Sequence, residues 1–310
     1  MQPIEPVAVV GDAWVMELSS KRELLRDRLD GAAFQTAIDL RQLGVPTRLV
    51  TVLGDDEDGE AIRRRLARSG VQLLANEDSG AETMRVRITK KNRTKPAQKG
   101  QDRPRIRFTD EQVAAIDQAP VVVVAGFAFD DRKQQRKLLE HVLQPQNRLV
   151  IDANPRAGLI DDLDDFRDHL ERHASSALLV HISEDDAQLC FDGPLDEATT
   201  HLLDLGAKHV LATNGAGGAR WVNRRGVDVH VPVPITPGEI VSVSGAGAAV
   251  TAVAAAAFAI GGTQVDEARA TRICRRATRV AAAIVGNPDG VLSDADELPE
   301  LSDLHGTPTA

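Results

Sequence analysis

The residues best suited to chemistry are Val241-Ser242-Val243-Ser244-Gly245-Ala246-Gly247-Ala248-Ala249-Val250. Ile240 to Ser242 reads as the end of a strand, and Gly245 and Gly247 permit a tight turn. The alanine-rich run to Ile260 is apolar on nearly every face, which predicts a buried helix. A glycine turn feeding a helix leaves N–H groups unpaired in front of the positive end of the helix dipole. Such a turn suits a phosphate, or the negative charge that develops as a phosphoryl group moves. It also suits close packing of a helix on a sheet, and both uses stay open on these residues alone. A dinucleotide fingerprint, Gly245-x-Gly247-x-x-Val250 with Asp266 as its acid, fails on context. The acid should close a second strand, whereas Ala248 to Ile260 is helical and Asp266 begins another helix.

Other polar groups gather at the ends of apolar runs. Gly11-Asp12 follows the run Val7–Val10, and Gly54-Asp55-Asp56-Glu57-Asp58-Gly59 precedes the helix pattern Glu60 to Ser69. Acids there suit a solvated helix N-terminus better than a bound cation. Met84–Thr89 and Arg105–Phe108 alternate apolar and basic residues around the polar, basic stretch Lys90 to Pro104. This reads as two half-buried strands and a loop: a lid with a basic face (Arg85, Arg87, Arg105, Arg107) for an anionic ligand, or a solvated hairpin.

The elements that position these groups alternate regularly. A helix pattern spans Gly31 to Leu43 and a strand Arg48 to Leu53. Beyond Ala119, strands at Val121–Phe127, Arg148–Asp152, Ala177–Ile182 and His209–Thr213 alternate with helices at Asp130–Leu143, Leu159–His173, Glu184–Cys190 and Leu195–Leu205. Short strands Ala219–Asn223 and Val227–Pro234 and helices near 245–260 and 265–285 complete the chain. Apolar strands separated by helices predict an α/β fold with a mostly parallel sheet covered on both faces. Ligands of such sheets bind at the carboxyl ends of the strands, where Asp152–Arg156, Ser183, Thr213–Gly215 and Gly245–Gly247 should converge.

Composition sets the outer bounds. The 310 residues are 42% hydrophobic and 27% charged, with a formal net charge of -9, which argues against general nucleic-acid binding. Cys190 and Cys274 are far apart and lack metal-ligand spacing, as buried thiols of a reducing compartment do. Neither a leader nor a spanning run is legible, so a cytoplasmic protein free of the membrane is expected.

Taken in order, these motifs resemble the ribokinase, or PfkB, family of carbohydrate kinases. The likeness rests on Gly11-Asp12, Gly54–Gly59, Asp152-Ala153-Asn154-Pro155-Arg156, Thr213-Asn214-Gly215-Ala216-Gly217-Gly218 and Gly245-Ala246-Gly247, with a tail at Ala281–Leu298 like the family's adenine-side helix and final loop. It implies a ribokinase-like three-layer sandwich over residues 1–310 as a single domain, with lid strands near 13–18, 84–89 and 105–108. ATP or ADP, with Mg2+, would be the cofactor, contacted by Thr213, Gly215, Gly218 and Asn287. A sugar or phosphosugar would meet Asp12, Gly31, Gln35, Asn154 and the lid residues Arg87 and Arg105. A homodimer joined through the lid is expected.

The departures fall where the chemistry would be. The family's catalytic aspartate is replaced by Ala248, after an anion hole of Gly245, Ala246 and Gly247, and its sugar-binding aspartate by Met16. The leading Asp-Thr of the signature is Ser242-Val243, Gly-Gly-x-x-x-Asn becomes Asp30–Gln35, and the magnesium-organising Asn-x-x-Glu becomes Ser183–Asp186, its acid one methylene shorter. Losing base, sugar and metal positions together favours a kinase-like binder of nucleotide or phosphate over an active kinase with an atypical base (Asp186, Asp152 or Glu17). A polyanion-binding lid comes third.

Overall fold

The computed structural model describes residues 4–20, 23–78, 82–88, 94–97, 103–142, 148–234, 244–285, 287 and 290–292. The chain enters on β1 (Val7–Gly11), buried throughout. Its side chains alternate between two cores, Val7 and Val9 on one face and Ala8 and Val10 on the other. Then come β2 (Trp14–Ser20), β3 (Glu23–Asp30), α1 (Ala32–Gln42), β4 (Thr47–Gly54), α2 (Glu57–Arg68) and β5 (Gln72–Asp78). The next elements are β6 (Arg85–Ile88), β7 (Thr94–Pro96), α3 (Asp110–Asp117), β8 (Val122–Ala125), α4 (Arg132–Val142), β9 (Leu149–Asp152) and α5 (Leu163–Ala174). The remainder is β10 (Leu179–Ser183), α6 (Glu184–Phe191), α7 (Leu195–Leu205), β11 (His209–Asn214), β12 (Gly218–Asn223), β13 (Asp228–Val231), α8 (Ala246–Gly261) and α9 (Glu267–Val285).

Nine strands form one sheet in the order β13-β12-β11-β10-β9-β8-β1-β4-β5, parallel from β11 to β5 and antiparallel only at β12 and β13. One core lies under α1, α2, α8 and α9, the other under α3 to α7. This is the expected ribokinase-like α/β arrangement. In α8 the run Ala252–Ala257 is fully buried, and small side chains let the helix lie close against α1 and α9. Cys190 and Cys274 are both free and buried, and burial pushes each thiol up to about 12.

The second sheet, in the place of the expected lid, has the order β3-β2-β6-β7. Its inner face, with Trp14, Met16, Met84 and Val86, packs with Leu159 into a small core. The strand expected at 13–18 is β2, and that at 84–89 is β6. The strand expected at 105–108 is not one, and β6 pairs instead with β7 inside the expected loop. Side chains take the place of a neighbouring strand there. Gln134 accepts from the Ile106 N–H at 3.0 Å and donates to its carbonyl at 2.8 Å, while Asn76 accepts from the Arg107 N–H at 2.7 Å. Phe108, at φ 55°, then breaks the extended backbone. The strand end expected at 240–242, and with it Ser242-Val243, lies outside the described residues.

Candidate nucleotide and phosphoryl site

Gly245 turns the chain into α8 with φ 95° and ψ -20°, and a Cβ there would stand 1.9 Å from the Gly290 carbonyl oxygen. Only glycine fits. The first helical bond runs from the Ala249 N–H to the Gly245 carbonyl at 2.9 Å, so the N–H groups of Ala246, Gly247 and Ala248 lie ahead of it. The N-cap residue, Gly245, has no side chain with which to cap this end. The geometry is that of an anion turn. Ala248, 3% exposed, closes the turn with a methyl group that accepts no proton.

Behind the turn stands His181. A Cβ on Gly247 would meet its Cε1 at 3.2 Å, so position 247 faces the core and not the space in front of the turn. The imidazole is 2% exposed, with Nδ1 3.0 Å from Asp152 Oδ1 and Nε2 3.1 Å from Thr213 Oγ1. Burial disfavours its protonation, but the Asp152 bond and the charges of Asp152 and Asp186 outweigh it, so its pKa is raised. Asp186, an expected metal group, is spent on a capping box: Oδ2 accepts from the Ser183 N–H at 2.9 Å while Ser183 Oγ accepts from the Asp186 N–H. Burial and the Asp152 charge push its carboxyl up. Among the described residues no cluster of three acidic, histidine or cysteine side chains is placed to hold a cation.

At the position where the resemblance puts a sugar-binding aspartate stands Met16, packed against a buried ion pair. Met16 is buried, and the Arg28 guanidinium lies against its sulfur at 3.4 Å. Arg28 is paired with Asp30, its Nε 3.0 Å from Oδ2, and the two residues are 5% and 0% exposed. Asp30 also accepts from the Gly31 N–H at 2.7 Å and from Ser244 Oγ at 3.3 Å, which ties the pair to the residue before the anion turn. Gln35 is buried alongside, and its Nε2 has no partner among the described residues. Gly31, at φ 128°, lets α1 start against the backbone of Asp12.

Asp12 behaves differently. Its Oδ1 accepts from the Ala33 N–H at 3.0 Å, while Oδ2 is shut off from solvent without a partner among the described residues. Burial raises its pKa to about 7, against the Ala33 bond and the charges of Arg156 and Arg103. The carboxyl fits because residue 126 is glycine, where a Cβ would stand 2.3 Å from it. It borders a cavity of about 40 Å³ with Trp14, Thr51, Met84, Arg103 and Phe127.

The expected basic lid face is not assembled. Arg85 is bound to Asp58 at 2.5 and 2.7 Å and to Asp27 at 2.9 Å, and Arg87 to Glu17 at 2.7 Å. Arg105 pairs with Asp131 on the α3–α4 side, away from β6. The acid-rich turn before α2 holds the lid: Asp56 caps Gly59 at 2.7 Å and accepts from the N–H and hydroxyl of Thr83, and Asp58 takes Arg85. It is more than a solvated helix end. Asn154, at φ 35°, points its amide at Asp152 Oδ2 (3.4 Å), and Gly215 and Gly218 bracket the turn after β11. The Asn287 amide donates to the Val291 carbonyl at 2.8 Å.

A family model described as pfkB family carbohydrate kinase matches residues 26–296. The chain belongs to the PfkB family. Aminoimidazole riboside kinase of Salmonella typhimurium (strain LT2) is 24% identical over 257 residues, 80% of this chain and 79% of that protein. A fructokinase of Rhizobium leguminosarum bv. trifolii is 27% identical over 224 residues, 70% of this chain and 67% of that protein. A crystal structure of aminoimidazole riboside kinase from Salmonella enterica, complexed with aminoimidazole riboside and an ATP analog, superposes with a TM-score of 0.74 at 19% identity, covering 97% of this chain and 98% of that one.

Two features of this PfkB chain escape a motif reading. Arg28 belongs to no motif, and only the three-dimensional pairing gives it meaning. His181 stands in an apolar strand, Leu179-Val180-His181-Ile182, two residues before the strand end Ser183. A lone histidine there is a usable signal, because burial demands partners for both ring nitrogens.

Proposed function

We propose that this PfkB-family chain holds a nucleoside di- or triphosphate with its terminal phosphates over Gly245–Ala248, and transfers little or no phosphate to a sugar. The observation that carries the reading is Ala248, buried at the head of α8 where a proton acceptor would be needed. Three candidate replacement acids are engaged: Asp186 caps α6, Asp152 holds His181 and Glu17 holds Arg87. The Arg28–Asp30 pair and Met16 occupy the wall that would grip sugar hydroxyls. Thr213, Gly215, Gly218 and Asn287 are assigned to the nucleotide side. The reading takes the chain as one cytoplasmic domain, dimeric through its lid, with a sugar or phosphosugar as the ancestral ligand.

A charge placed on the turn tests this. Ala246→Asp puts an acid in the first turn of α8, where the dipole favours it for folding, but in front of the N–H groups that would hold phosphate. ATP and ADP binding by calorimetry should fall at least about tenfold while thermal stability is kept; a hydrogen bond to a charged group is worth about 1.5–3 kcal/mol. Equal affinity in parent and variant would put the nucleotide elsewhere.

A second reading, an active carbohydrate kinase with an atypical base, draws support from Asp12 alone. Its carboxyl faces a cavity with a free oxygen and titrates at about 7, suited to proton transfer. On that reading Asp12→Asn abolishes a sugar turnover that the parent must display.

A further inference from the structure

The groups behind the anion turn form a connected series. Asp152 and His181 are 1% and 2% exposed, whereas Thr213, at the carboxyl end of β11, is partly exposed on the rim. Asp152 Oδ1 lies 3.0 Å from His181 Nδ1, and His181 Nε2 lies 3.1 Å from Thr213 Oγ1. In the neutral imidazole the carboxylate keeps the proton on Nδ1, and Nε2 then accepts from the Thr213 hydroxyl. A buried acid orienting an imidazole that accepts from a surface hydroxyl is the arrangement that activates an oxygen nucleophile. The His181 imidazole lies on the side of Gly247 to which a Cβ would point, behind the turn.

We propose that Thr213 is a phosphoryl acceptor, and that the chain phosphorylates itself there from a bound nucleoside triphosphate, with His181 as the base and Asp152 as its positioning residue. The proposal rests on the nucleotide reading above. Thr213 Oγ1 forms a bond to the γ-phosphorus, and the bond from that phosphorus to the bridging oxygen breaks, its electron pair leaving with the nucleoside diphosphate. The hydroxyl proton passes to His181 Nε2, and Asp152 stabilises the imidazolium. The sugar route lacks its base at Ala248, whereas this hydroxyl carries its own.

The test is peptide mapping by mass spectrometry after the whole chain is incubated with ATP and a magnesium salt, with calorimetry of ATP binding on the same preparation. One phosphoryl group is expected on Thr213, still present in Thr213→Ser (now on the serine) and absent in Thr213→Val. His181→Gln should slow its appearance by a factor on the order of 10² or more, with ATP binding measured on each variant to separate a lost base from a lost nucleotide. ATP bound with no phosphate at residue 213, or phosphate on another residue, overturns the assignment and leaves the nucleotide reading standing. Absence of ATP binding overturns both.

Discussion

Restoring a carboxylate at position 248 separates a missing base from a missing sugar pocket. In Ala248→Asp the new acid stands in the first turn of α8, where the dipole favours its ionised form by about 0.3–1 kcal/mol. General-base catalysis contributes about 10²–10⁴-fold, roughly 3–5.5 kcal/mol of barrier. If only the base were absent, turnover should rise by at least about 10². The structure sets a lower expectation. On the proposed reading, a sugar held beside the turn would have to displace the Arg28–Asp30 pair, which is buried against Met16. Breaking a buried pair costs about 3–5 kcal/mol, the same size as the gain. The expected net increase is therefore below about tenfold, or ~1.4 kcal/mol. The assay is ADP release from ATP with a panel including fructose and aminoimidazole riboside, parent against variant at equal concentration. A rise of about 10² or more from this one change would refute the argument that the sugar wall is closed.

Two further outcomes concern stability. Arg28→Met leaves Asp30 buried without its cation, so urea denaturation should register a loss of about 3–5 kcal/mol, mostly recovered in Arg28→Met/Asp30→Leu; a loss under about 1 kcal/mol contradicts the pairing. His173 and His209 are lowered from 6.5 to about 4, chiefly by burial, with neighbouring charges adding to it. Their neutral burial contributes stability that is whole above pH 6.5 and is lost as pH falls through about 4, up to about 3 kcal/mol each. Asp12 runs the other way, contributing below pH 3.8 and losing that contribution as pH rises through about 7. The two effects oppose each other over the same window, so urea melts across pH 4 to 8 compare the parent with His173→Gln, whose stability should fall less toward pH 4; the same pH dependence in both would contradict the assignment to His173.

Much of the fold was legible because periodicity reports burial. Strands such as Val7–Gly11 and Leu179–Ser183 are apolar on both faces, and the helices between them carry one apolar stripe. β3 was not legible, since Glu23–Asp30 mixes charge and leucine without a period, nor were the polar edge strand Gln72–Asp78 and the short helix Asp110–Asp117. Arg105–Phe108 misled for a physical reason, because its alternation is real but Gln134 and Asn76 bind its backbone in place of a strand. At the site, the glycine turn into a helix could be read from residue types, and the expectation that Ala248 stands in place of a base came from the family resemblance. The Arg28–Asp30 closure and the Asp152–His181–Thr213 series could not, since each joins groups whose meaning arises only from contact. The arginines read as a basic lid face were legible as residues but not as pairs, and their carboxylate partners come from Asp27, Asp58, Glu17 and Asp131.

The central claim is that a nucleotide site survives on a fold whose transfer to sugars has lapsed. Multiple-turnover phosphoryl transfer by the unmodified chain tests it most directly, with saturating ATP and a panel of sugars and phosphosugars. Sugar-dependent ADP release at or near background is the expected result. Turnover of about one per second or faster on any of them, typical of working enzymes, would contradict it.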